Sequence, residues 1–86
     1  MITPQNILRH ELIGLDVKVT KALNPLSRNI QGEVIDETQQ TLIIRTKNGD
    51  KKILKRLATF EFALKKARVE VQGSVLVGRP WERIKN

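Results

Sequence analysis

The chain has 86 residues, no cysteine, and 16 lysine and arginine residues against nine aspartate and glutamate residues, which gives a formal net charge of +7. This length suits a single domain, 1–86, and the lack of cysteine excludes disulfide bonds, cysteine-ligated zinc and thiol catalysis. No signal-peptide pattern opens the chain, and no apolar run approaches the roughly 20 residues of a membrane-spanning helix. We therefore expect a cytoplasmic protein with no membrane contact.

The excess of positive charge predicts the chemistry of the partner. A net charge of +7 on so small a body attracts polyanions, of which nucleic acid is the most common. The alternative is a basic domain whose lysine and arginine residues serve only solubility.

The first predicted element is a helix over residues 3–14. Thr3 can cap its first turn, and Pro4 suits the first helical position. Three leucines recur at the spacing of one helix face, namely Leu8, Leu12 and Leu15. This face can pack on the domain itself or dock on a partner subunit, and the spacing alone favours neither.

Residues 15–78 alternate between apolar and polar side chains, which is the period of β-strands. Their centre is a hairpin over residues 28–46, in which Gly32 marks a bulge or a sharp bend. Asn48 and Gly49 predict a type I′ turn, which needs positive φ at both residues. Further strands are expected at 15–20, at 51–56 with its continuation over 57–64, at 69–71 and at 75–77.

About six short strands with turns every eight to twelve residues or so favour a small all-β barrel or sandwich. Pro80 then starts a short helical turn over residues 80–85. The domain is thus predicted as an N-terminal helix, a β-rich body over 15–78 and a C-terminal helical turn.

No catalytic set is visible in the sequence. His10 is the only histidine, so neither a transition-metal site nor a nucleophile–base pair can be assembled around it. Asp36 and Glu37 could hold Mg²⁺, but carboxylates in a turn between strands are more often solvated. We expect no catalytic residue, no metal site and no cofactor in this chain.

The basic residues are better organised, because several of them cluster on one predicted hairpin. The candidates for RNA contact are Arg28, Arg45, Lys47, Lys51, Lys52, Lys55, Arg56, Arg79, Arg83 and Lys85. Aromatic residues make up only 3% of the chain. This scarcity favours contacts to phosphates and to the shape of folded RNA over base stacking on exposed rings.

The sequence also resembles a known family, protein component 1 of archaeal ribonuclease P, which is related to a subunit of the eukaryal enzyme. The matching segments keep their order and spacing along nearly the whole chain: residues 10–15, 24–25, 32–38, 41–42, 60–64, 73–80 and 82–85. The resemblance implies a strongly bent, six-stranded antiparallel barrel of the Sm-like or SH3-like kind with short terminal helices.

The resemblance also implies a role. The holoenzyme cleaves precursor tRNA to form the mature 5′ end, its catalytic moiety is RNA that uses Mg²⁺, and the protein is an accessory RNA-binding subunit. A small zinc-ribbon subunit would pair with this chain through the N-terminal helix, at Ile7, Leu8 and Leu12. The isolated chain would be a monomer.

Three other functions remain open at this point. The first is a free-standing Sm-like RNA chaperone that closes into a ring. The second is a ribosomal or DNA-binding barrel of the SH3-like type. The third is an enzyme in its own right, which the lack of general acid–base groups disfavours.

Overall fold

The computed structural model describes residues 11–65 and 67–78, which form one antiparallel sheet of six strands. The strands are β1 (Asp16–Ala22), β2 (Gln31–Glu37), β3 (Thr41–Thr46), β4 (Gly49–Leu54), β5 (Ala58–Ala63) and β6 (Arg68–Gln72). Their order across the sheet is β4-β3-β2-β1-β5-β6. The predicted all-β class and the number of strands are confirmed. No helix of the described residues is long and apolar enough to cross a membrane.

The sheet does not close into a barrel by strand pairing. Within residues 11–65 and 67–78, β4 and β6 are the two edges and do not pair with each other. Two short 3₁₀ helices, Lys55–Leu57 and Gly73–Leu76, pack together beside β5 and β6 instead. The six antiparallel strands of the predicted barrel are therefore confirmed, but the barrel is not closed by pairing of its edge strands.

The strand predicted at 75–77 is wrong. A strand would send Val75 and Leu76 to opposite faces of the sheet, whereas the 3₁₀ helix Gly73–Leu76 turns the fully buried Leu76 into the core and leaves Val75 51% exposed. The strand predicted at 51–56 likewise ends at Leu54, where the other 3₁₀ helix takes over.

The predicted helices fall almost wholly outside the described residues. The helical turn over 80–85 lies outside them, as do residues 3–10 of the N-terminal helix. The remaining residues of that helix, 11–14, are not helical, and 13 and 14 form a turn. Leu12 is fully buried in the core. Its prediction as a partner contact is thus wrong, because the domain itself covers this side chain.

One face of the sheet carries the core, and we call it the inner face. The predicted alternation over 57–64 is confirmed, since Phe60 and Phe62 are fully buried with their ring centroids 6.2 Å apart. The register places Val19 opposite Phe60 and Val17 opposite Phe62. Val34, Leu42 and Ile44 complete the centre of this face. The other face, the outer face, carries the polar residues between them.

Glycine at position 32 has a steric cause. A Cβ atom on Gly32 would collide with the backbone carbonyl of Arg45 on β3 and would crowd the Ile44 side chain. Only glycine lets the two strands approach this closely. The register shift in this hairpin lies further along, between Val34 and Asp36, so Gly32 marks the close approach and not the bulge.

The tight turn between β3 and β4 differs in detail from the predicted type I′ turn. Thr46 pairs with Gly49, which leaves Lys47 and Asn48 as the loop. Positive φ occurs at Gly49, with a value of +105°, and not at Asn48. This is the glycine position of a turn that ends in a bulge.

Lys55 is the main correction to the predicted surface. Its side chain is fully buried, and its Nζ donates to Glu37 Oε2 at 2.7 Å, with the Glu37 side chain only 1% exposed. Nζ also donates to the carbonyl oxygens of Thr38 at 2.8 Å, Gly78 at 2.9 Å and Gln39 at 3.4 Å. A lysine held in this way cannot reach RNA, so its prediction as an RNA contact is wrong.

Glu37 connects the same cluster of hydrogen bonds to Leu12, near the first of the described residues. Its Oε1 accepts a hydrogen bond from the backbone N–H of Leu12 at 3.4 Å. The Gly78 N–H donates to the Gln39 carbonyl at 2.8 Å. The ion pair, which we call the Lys55–Glu37 clamp, therefore ties the β2–β3 turn to the beginning and the end of the described residues.

We predict that Lys55→Met destabilises the fold by about 3–5 kcal/mol, because it leaves a buried carboxylate without its cation. Lys52→Met on exposed β4 is the matched control and should stay within about 0.5 kcal/mol of the parent. Adding Glu37→Gln to Lys55→Met removes the stranded charge, keeps an acceptor for the Leu12 N–H and should restore part of the loss. Urea denaturation measures all three. Equal stability of Lys55→Met and Lys52→Met would contradict this role.

We also predict that Gly32→Ala destabilises the protein by about 1–3 kcal/mol or more, as overpacking of a tight contact does. Gly49→Ala is the comparison, since its Cβ meets nothing within 4 Å and only the positive φ is unfavourable, at about 1–2 kcal/mol. Thermal unfolding distinguishes the two variants. A smaller loss for Gly32→Ala than for Gly49→Ala would exclude steric contact as the reason for glycine at 32.

Candidate nucleic-acid interface

A groove of about 900 Å³ opens where the loop before β2 faces the β3–β4 hairpin. We call it the cationic groove. Its lining consists of Leu26, Ser27, Arg28, Asn29, Ile30, Gln31, Gly32, Arg45, Thr46, Lys47, Asn48, Lys51, Lys52 and Ile53. Five of these residues are lysine or arginine, and none is aspartate or glutamate. The groove is therefore a concavity of one charge sign.

Strand register shows which cations face the groove. Lys51 stands opposite the buried Ile44 and two residues before the buried Ile53. Side chains directly opposite each other share a face. The side chain of Lys51 therefore projects from the inner face, at a point that the core does not cover. It is exposed, so its ammonium group is available to an anion in the groove.

Arg45 has different surroundings, although it borders the same groove. It stands opposite Glu33 on β2 and opposite Asp50 on β4, which places all three side chains on the outer face. Two flanking carboxylates offset the charge of the arginine. We therefore expect Arg45 to attract an anion less strongly than Lys51 does.

Arg28 is held at the groove by a loop with several internal hydrogen bonds. Its Nε donates to the Ala22 carbonyl at 3.3 Å. The Asn24 side chain accepts from the Leu26 N–H at 3.0 Å, as a capping residue does. Asn29 follows in the left-handed region, at φ +66°, which asparagine tolerates better than most residues. The loop thus presents its side chains from a fixed backbone.

The remaining predicted contacts are not in the groove. Arg56 is exposed but lines a separate depression with Lys21 and Gln72, and Lys55 is buried in the clamp. The other predicted RNA and partner contacts lie outside the described residues: Ile7, Leu8, Arg79, Arg83 and Lys85. The structure thus gathers Arg28, Arg45, Lys47, Lys51 and Lys52 at one site.

Sequence reasoning missed the uncharged part of the groove. Leu26, Asn29 and Asn48 line it, and none of the three belongs to a motif. One signal was present for Leu26, because a leucine directly after Asn24-Pro25 lies in a loop where no strand alternation can bury it.

The carboxylates at 36 and 37 are engaged within the protein. Asp36 Oδ1 accepts from the Glu37 N–H at 2.8 Å, and the Glu37 carboxylate belongs to the clamp. Across residues 11–65 and 67–78 no group of three or more His, Cys, Asp or Glu side chains is placed to hold a metal ion.

Fold and groove together define a small, basic, all-β binding protein. A family model described as Ribonuclease P/MRP, subunit p29 matches residues 5–86, and the chain belongs to this family. The resemblance drawn from the sequence is thereby confirmed.

Individual relatives agree with the family. The chain is 50% identical over 86 residues to ribonuclease P protein component 1 of Methanocaldococcus jannaschii, covering 99% of this chain and 90% of the relative. It is 45% identical over 87 residues to the protein of the same name in Methanothermobacter thermautotrophicus, covering 99% and 94%. The solved structure of Mth11, described as a homologue of human RNase P protein Rpp29, is similar with a TM-score of 0.62 and 40% identity over 87% of this chain and 99% of that chain.

Proposed function

We propose that this chain is an RNA-binding subunit of ribonuclease P, and that it supports the catalytic RNA in the 5′-end maturation of precursor tRNA. The chain is thus part of an endoribonuclease complex. The observation that carries the proposal is the cationic groove in a member of this family. Five cations and no carboxylate line a concavity, which is the complement of a phosphate backbone.

The protein would act by electrostatics while the RNA, with its own Mg²⁺, performs the cleavage. Folded RNA brings phosphates close together, and a body of net charge +7 lowers their mutual repulsion. Binding of this kind is driven by the release of condensed counterions, so it weakens steeply with salt.

The proposed protein partner is a small zinc-ribbon subunit. The burial of Leu12 moves the expected contact to the residues before it, with Ile7 and Leu8 as the remaining candidates. Ile13, 42% exposed, adjoins that segment. In the absence of RNA and this subunit, we propose that the chain is a cytoplasmic monomer.

The test of the proposal is reconstitution of cleavage. Archaeal ribonuclease P RNA is mixed with precursor tRNA at low Mg²⁺, with and without this chain and its zinc-ribbon partner. We expect 5′ cleavage to rise when both proteins are present, because the added cations replace part of the Mg²⁺ demand. Unchanged cleavage, with RNA binding retained, would contradict the proposal and favour a free-standing RNA chaperone or a ribosomal protein.

A second prediction concerns the groove itself. The double variant Arg28→Gln and Lys51→Gln should weaken binding to ribonuclease P RNA and lower the slope of log affinity against log salt by about two, roughly one for each lost phosphate contact. The matched control is Lys18→Gln with Arg68→Gln, which removes the same charge from the outer face outside the groove, where Lys18 stands opposite Glu61 and Arg68 lies 3.3 Å from it.

The control variant should change the salt slope by less than half as much as the groove variant does. Filter binding or fluorescence anisotropy over a range of salt concentrations measures both slopes. Equal slopes for the two variants would mean that net charge alone governs binding, and would remove the groove from the proposal.

A further inference from the structure

We infer that the cationic groove takes an unpaired nucleotide of RNA, whose base or ribose lies against Leu26 while its neighbouring phosphates lie at Arg28 and Lys51. The inference rests on the proposed function and deepens it. It states which form of RNA the groove selects, namely an unpaired nucleotide in a loop, bulge or single strand and not the backbone of a duplex.

The first argument is the exposure of Leu26. This leucine is 86% exposed and lies in the lining of the groove. Single exposed apolar residues are common on protein surfaces, but this one stands at the edge of a charged concavity. An apolar contact at that position is gained only if the bound molecule has an apolar part as well as charge.

The second argument is the rigidity of the loop that carries Leu26. The N–H of Leu26 donates to Asn24 Oδ1, the Ser27 N–H to the Asn24 carbonyl at 2.9 Å, and the Arg28 N–H to the Pro25 carbonyl at 3.2 Å. At its end, the Asn29 N–H donates to the Val19 carbonyl at 2.9 Å. The leucine is therefore held outward by a loop anchored on β1, and a ligand meets it without first ordering the loop.

The third argument is the apolar side of the groove. Ile30 is half-buried against the core, and Ile53 is 5% exposed. Ile53 shares the inner face with Lys51 by the alternation along β4, and Ile30, the residue directly before β2, is in phase with the inner-face Val34. The groove thus has an apolar wall beside a cationic one, which matches the two halves of a nucleotide.

Amides and a hydroxyl complete the lining. Ser27, Asn29, Gln31 and Asn48 line the groove between the cations, and their side chains can donate to or accept from the edge of a base or a 2′-hydroxyl group. A volume of about 900 Å³ lies at the upper end of the range for small-molecule sites, so it accommodates a nucleotide.

Duplex RNA would use only part of this site. Its bases are stacked inside the helix, and it offers mainly phosphates and 2′-hydroxyl groups to a protein. The apolar wall and Leu26 would then contact nothing. Phe60 and Phe62 are fully buried, so neither can serve as a stacking surface, and Leu26 is the exposed apolar group that the described groove offers to a base.

The experiment compares a single-stranded RNA of about five nucleotides with an RNA duplex of about 16 base pairs, lengths that match typical protein footprints on each form. Leu26→Ser should weaken binding of the single strand about fivefold, as the loss of a partly buried leucine contact does. It should leave the duplex affinity and the salt slope unchanged. Leu23→Ser is the matched control, since Leu23 is 75% exposed and lies outside the groove; it should change neither affinity.

A second measurement follows the contact directly. Methyl resonances of Leu26, Ile30 and Ile53 should shift and saturate as the single strand is added, whereas those of Leu23 should not move. An effect of Leu26→Ser below about twofold, an equal loss of duplex affinity, or methyl resonances that stay in place would each overturn the inference. The proposed function would fail separately, through unchanged cleavage of precursor tRNA in the reconstitution with ribonuclease P RNA.

Discussion

The Lys55–Glu37 clamp is the interaction on which the rest of the structure depends. In the part of the chain that the structure describes, the sheet stays open between β4 and β6, so hydrogen bonds between these strands do not hold that side together. A buried ammonium group does so instead, by joining a carboxylate at the end of β2 to carbonyl groups of the β2–β3 turn and of Gly78. Because the partners of a buried cation must be close and correctly oriented, the clamp fixes the turn and both ends of the described chain relative to one another.

Charge in this protein therefore has two separate uses. Lys55 is enclosed, and solvent ions cannot reach it to screen its attraction to Glu37. Arg28, Lys47 and Lys51 are exposed at the groove, where screening by salt is strong. A rise in ionic strength therefore weakens the attraction between the groove cations and an RNA, but it does not weaken the Lys55–Glu37 pair. The protein can thus leave an RNA without losing the structure that binds it.

Most of the strands follow from the sequence, and the departures come from contacts between distant residues. The strand period places Lys51, Ile53 and Lys55 on one face of 51–56, and the structure does bury Ile53 there. What the pattern could not show is that Glu37 meets Lys55 from another strand, which makes burial of the lysine favourable. The cluster of cations on one hairpin was visible as well, but the difference between Lys51 and Arg45 depends on the register with Glu33 and Asp50. Leu26 entered the site because of a loop conformation that no periodicity encodes.

The two faces of the sheet differ in charge, and this has a consequence for how the protein meets its partner. Carboxylates stand among the cations of the outer face, as Glu33 and Asp50 do beside Arg45, while the groove is lined by cations without a carboxylate. Among residues 11–65 and 67–78, such a distribution displaces the centre of positive charge toward the groove and gives this part of the protein an electric dipole. In the field of an RNA the dipole experiences a torque while the two molecules are still a Debye length apart. The protein then rotates during its approach, and a larger share of first collisions brings the groove to the RNA.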